Sequence, residues 1–189
     1  MDKVRKIMPY AGAVLALAAI ILVCCANIRV VSGANNYFTL NGYAFGVKTV
    51  TNHLGPYVTE AEVPGELAGG AAILPLIGFI LMIIGTVCVV TLSLVGDKII
   101  PSANLRKIIL ISAAGLVLVG AIFEFFAVRS YAAAVARNYR EAGLETTTAD
   151  ILSLLKGFGK TSAPLGVTAG ILGLVGALAM GVPQLFPED

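Results

Sequence analysis

Glu124 is the single ionisable side chain between Ile108 and Val128, a run that is otherwise almost entirely apolar. Burying a carboxylate in such a run is costly, which marks it as functional unless a neighbour neutralises it. Two roles fit. One is an interfacial ion pair with Arg29, Arg129 or Lys160, because Glu124 falls near the outer end of the run; the other is a pore-lining or ion-coupling carboxylate. No second acid and no histidine falls within an apolar run, so a proton relay has nothing to pass its proton to.

The remaining candidates are weaker. His53, the only histidine, lies among Asn52, Leu54 and Gly55. A metal site there would need Glu60, Glu62 or Glu66, whose spacing matches no ligand motif, so His53 reads as a solvated loop residue and no metal is expected. Cys24 and Cys25 are adjacent and Cys88 is remote, with no CxxC. They read as small hydrophobes, with lipidation or an intersubunit disulfide as the alternatives. The chain carries no HExxH or GxSxG, and no P-loop or GxGxxG in context. It is therefore expected to be no enzyme and to need no cofactor. A net charge of +2 without a basic, aromatic-rich run gives no case for nucleic acid, and none is expected as a partner.

The elements that must position these residues follow from composition. Of the 189 residues, 58% are hydrophobic and 13% charged, against about a quarter charged in a soluble domain. The mean hydropathy is +0.91. The sequence reads as a multi-pass membrane protein with spans at Met8 to Asn27, Ala71 to Val95, Ile108 to Val128 and Pro164 to Met180, each close to the roughly 20 residues a bilayer requires. The first apolar stretch, Ile7 to Val31, exceeds the roughly 7–15 residues of a signal-peptide core and is taken as a span. Lys3, Arg5 and Lys6 precede it, and Lys98, Arg106 and Lys107 fill the short second connection. Basic residues in short segments mark the cytoplasmic side, so both termini are expected inside, with residues 28–70 and 129–163 outside. The absence of outer-loop cysteines and of any Asn-x-Ser/Thr acceptor points to a prokaryotic plasma membrane.

In the first outer segment, Asn41-Gly42 stands between aromatic and β-branched runs, the pattern of a two-residue type I′ hairpin, and predicts strands near 36–40 and 43–50. Gly55-Pro56 and Val63-Pro64-Gly65 read as turns, and Glu60, Glu62 and Glu66 make that part acidic. The third span continues as a helix through Tyr131, Val135 and Tyr139 to Gly143, extending beyond the bilayer by about 20 Å. Arg129, Arg137 and Arg140 on that extension are set to meet the acidic stretch. A short helix follows, capped by Thr148, with Asp150 in its first turn and Ile151, Leu152, Leu154 and Leu155 as its apolar face before Gly157. Lys156 and Lys160 flank that face, which suits packing in the outer domain or lying among lipid headgroups. Pro75 is expected to kink the second span.

The fourth span carries a helix-packing code. Gly166 and Gly170 form a GxxxG, continued by Gly173 and Ala177, and in lipid such small residues drive close helix approach, either inside one subunit or between subunits. The fold class is thus an all-α integral membrane protein: a single four-transmembrane-helix bundle over residues 1–189, with a small extracytoplasmic cap of β-hairpin and short helix and an extended third helix. In layout it resembles the claudins and related tetraspan proteins, and in topology some large-pore channels. Claudins carry a tryptophan and paired cysteines in the first outer loop; this chain has neither, so no site residue is carried over. The expected function is non-catalytic: lateral contacts among membrane lipids, with copies of itself or with a partner membrane protein, as a scaffold or accessory subunit. The alternative is a homo-oligomeric channel or large-pore subunit.

Overall fold

The computed structural model describes residues 2–63 and 70–185; the side chains of residues 2–6 and 97, the Pro64-Gly65 turn and Glu66 lie outside the described residues. The chain is mostly helical. Four stretches are long and apolar enough to cross a membrane: Ile7–Cys24, Ile73–Gly96, Ala103–Glu124 and Pro164–Gln184. They belong to α1 (Asp2–Cys24), α2 (Ile73–Ile99), α3 (Ala103–Glu124) and α6 (Pro164–Gly181), the last followed by a 3-10 turn, Val182–Gln184. The chain divides into two compact units.

The first unit comprises Met1–Ile21, Ile77–Phe123 and Thr168–Asp189. Its packing follows from glycine placement. A Cβ on Gly12 would lie 2.5 Å from the Gly176 carbonyl oxygen, and one on Gly176 would lie 2.7 Å from the Gly12 carbonyl oxygen. α1 and α6 therefore meet backbone to backbone, which no larger residue permits. Gly85 and Gly120 do the same for α2 and α3, against the carbonyls of Ala113 and Gly78. The interior holds small residues such as Ala16, Ala19 and Ala121, while Val14, Leu17, Ile84 and Val175 face outwards. Tyr10 donates its hydroxyl hydrogen bond to the Ser93 carbonyl, 2.8 Å away.

The second unit, Leu22–Leu76 and Glu124–Val167, is built on a β-sheet, and here the all-α expectation is corrected. β1 (Asn27–Val31), β2 (Asn36–Asn41), β3 (Thr49–Leu54), β4 (Tyr57–Glu62) and β5 (Lys160–Ser162) form one antiparallel sheet in the order β4-β3-β2-β1-β5. α1 stops at Cys24, and Ile28 and Val30 are buried while Arg29 points to the other face, the period-two pattern of a strand. The two-residue turn expected at Asn41-Gly42 does not form. Only Gly42 of the pair takes a positive φ, 71°, and β2 joins β3 through residues 42–48. The predicted strand 43–50 yields because Tyr43, Ala44 and Val47 are all buried in the unit's core, on neighbouring positions that a strand would send to opposite faces. Asn41 instead stays extended and donates from Nδ2 to the hydroxyls of Thr49 and Thr51, at 3.3 and 2.9 Å.

The helices of this unit also differ from expectation. The extended third helix is interrupted at Phe125 and Phe126, where Phe126 has φ −93° and ψ 11°, and α4 (Ala127–Glu141) begins after it. The interruption leaves both phenylalanines exposed with Glu124 buried, and α4 then presents Tyr131 and Val135 to the core. α5 (Thr148–Phe158) is capped by Thr147 rather than Thr148: the Thr147 hydroxyl accepts from the Asp150 amide at 3.2 Å, and Asp150 accepts from the Thr147 amide at 2.8 Å. This capping box satisfies two otherwise unpaired amides. The helix runs past Gly157 to Gly159, whose φ of 152° ends it. Pro75 is in the first turn of α2, where a missing N–H breaks no helical hydrogen bond.

Candidate functional site

Three places in the structure bring the expected residues together. The first surrounds Glu124. Its exposure is 0%, as is that of Tyr43, and the Tyr43 hydroxyl donates to Glu124 Oε2 at 3.2 Å. Glu124 Oε1 is buried with no hydrogen-bond partner. Gly166 completes the node, since a Cβ there would collide with the Tyr43 hydroxyl oxygen. Burial, and after it the adjacent Glu124, raises the Tyr43 pKa above the ordinary phenol value. The expected ion pair is replaced by a phenol. Arg29 instead lies over the Tyr37 ring, 3.8 Å from its centroid. The signal for Tyr43 was present but masked, because a tyrosine beside Asn-Gly reads equally well as a strand residue.

The small residues of α6 are the second place. Gly166, Gly170, Gly173 and Ala177 are all buried within this one chain. A Cβ on Gly173 would lie 2.7 Å from the Ala121 Cβ. Of the two uses open to the packing code, the structure displays contact inside the subunit. The cysteines are free, Cys24 and Cys25 exposed and Cys88 half-buried.

The third place is the sheet. One face carries a stack in which Tyr37 lies on His53 with ring centroids 4.1 Å apart, so the histidine is an aromatic partner rather than a bare loop residue. The other face, through Phe38, Leu40, Val50 and Asn52, forms one wall of a cavity of about 370 Å³ closed by α4 and α5. Phe38 meets Phe158 edge to face at 6.2 Å. Sequence reasoning missed this cavity because its walls come from elements distant in the chain, although the alternation of Phe38 with Leu40 and of Val50 with Asn52 marks the faces. At the sheet's edge, all six residues of β4 are exposed, Glu60 and Glu62 among them. Arg137 pairs with Glu141 at 3.9 Å along its own helix.

No protein-family pattern matches the chain, and no curated protein matches it.

Proposed function

We propose that this is a non-catalytic multi-pass membrane protein, a scaffold or accessory subunit, that engages a partner protein through the free edge of its sheet. The observation that carries the reading is β4. It is one of the sheet's two edge strands, is exposed along its whole length with no further strand beside it among the described residues, and leaves Tyr57 and Val58 as apolar handles. An open edge strand offers unpaired backbone donors and acceptors, and natural proteins leave one uncovered where another strand adds to it. Glu60 and Glu62 share one face of β4, which has no basic residue. Pairing two copies edge to edge would oppose like charges, so a partner strand bearing lysine or arginine fits better than a second copy. The large apolar side chains facing outwards on all four long helices support a lipid surround. The reading includes both termini cytoplasmic, supported by the basic residues of the short segments, and a prokaryotic plasma membrane, supported by the lack of outer-loop cysteines and Asn-x-Ser/Thr acceptors. The homo-oligomeric pore has no comparable support, since Glu124 is wholly buried within one chain.

A photo-crosslinking residue at Thr59 tests the reading. Capture of one partner protein, reduced at least tenfold by the Glu60→Lys/Glu62→Lys pair with the fold retained, is the expected result. Capture of a second copy, or capture indifferent to the charge reversal, overturns it.

A further inference from the structure

We propose that the cavity between the sheet and helices α4 and α5 binds the hydrocarbon chain of an uncharged single-chain amphiphile, such as a long-chain alcohol or isoprenoid. Its volume of about 370 Å³ lies within the roughly 300–1,000 Å³ of small-molecule sites. The floor is fixed and apolar: Leu40, Val135, Ile151 and Leu155 are buried. The mouth is apolar as well. Leu154 and Phe158 both line the cavity and are 47% and 55% exposed, so an apolar occupant would remove further apolar surface from water.

The class of occupant follows from the polar groups present. Only Asn52, Tyr131 and Tyr139 among the described lining residues have side-chain polar atoms, and none is charged. A carboxylate or phosphate drawn into this cavity would lose its hydration and meet no counter-charge, which an apolar site penalises heavily. A hydroxyl end would lose little, because the Asn52 amide and the Tyr139 phenol can both donate to it and accept from it. The cavity therefore selects a greasy chain with a neutral, hydrogen-bonding end.

The sequence contains no tryptophan, so Phe158→Trp gives a lone fluorescent reporter at the mouth. The variant, purified in detergent, is titrated with dibromo-octadecanol, whose bromines quench tryptophan on contact, and separately with dibromo-octadecanoate at pH 8. Saturable quenching is expected, at least tenfold tighter for the alcohol than for the carboxylate. It should be relieved by unbrominated octadecanol and abolished when Val135→Phe fills the floor, with helix content and elution volume unchanged. Should Val135→Phe not fold, Val50→Phe at the half-buried wall serves instead and is expected to weaken binding at least tenfold. Quenching that rises without saturation, that the filled variants leave intact, or that is equal for alcohol and carboxylate overturns the proposal.

Discussion

The two units of this chain differ in what stands at their contacts and on their surfaces. In the first, alanine and glycine stand at the helix contacts beside buried Met82, Val117 and Met180, while Val14 and Leu94 are 65% and 67% exposed. In the second, Tyr43, Ile28 and Val30 are fully buried, and edge strand β4 carries two glutamates. Large apolar groups inside a folded unit are what water enforces; large apolar groups outside, with small ones at the helix contacts, are what hydrocarbon permits. The contrast teaches that hydropathy summed along the chain separates the units less well than what each one puts at its contacts and leaves facing outwards.

The most damaging way to break the contrast is to enlarge a contact in the first unit. Gly12→Leu must displace the Gly176 backbone, and overpacking of that kind costs roughly 1–3 kcal/mol, here at the upper end because the obstacle is backbone. Loss of the folded protein's elution peak in detergent is expected, whereas Gly115→Ala, whose Cβ meets nothing within 4 Å, does not lower the melting midpoint. A protein that accepts Gly12→Leu without loss would show that α1 and α6 do not depend on this contact.

A smaller effect is expected in the second unit. Tyr43→Phe removes the hydrogen bond to Glu124 and leaves a buried carboxyl group unsatisfied, at a cost of about 2 kcal/mol. Because the interaction is pairwise, a denaturation cycle with Glu124→Leu should be non-additive. Strictly additive losses would mean that the two side chains are stabilised independently.

Much of this was legible in the sequence, and the parts that were not share a cause. The four spans appear within a few residues of their helices because an apolar run of bilayer length has few other meanings. The glycines at 166, 170 and 173 announced close packing, but which helix they would meet depends on tertiary structure. The sheet was harder. β1 was not anticipated because Ile28, Val30 and Val31 continue the apolar run of the first span, and Tyr57–Glu62 was hidden by its turn-forming and acidic neighbours. At Asn41-Gly42 the local turn preference lost to the burial of Tyr43, a contact with Glu124 eighty-one positions away. Local rules hold where one solvent acts along the whole element, and fail where a residue is recruited by a distant partner.

The finest comparison concerns α5, whose start depends on neither lipid nor core but on one exposed pair. Asp150 accepts from the Thr147 amide at 2.8 Å and from its hydroxyl at 2.7 Å, and these bonds lower the Asp150 pKa. A depressed carboxylate pKa means that the folded state binds the proton less readily than the unfolded chain does. Its stabilisation is therefore complete above the ordinary aspartate value and is lost as the pH falls through the lowered one. Amide protection in the first turn of α5, corrected for intrinsic exchange, should hold at neutral pH and decline below about pH 4. Thr147→Ala should cost about 1 kcal/mol at neutral pH. Asp150→Asn should make the protection independent of pH over the same range, because the amide still accepts from Thr147 but no longer titrates. A decline of equal size in the Asn variant would assign the acid sensitivity to some other carboxylate and remove the capping box as its origin.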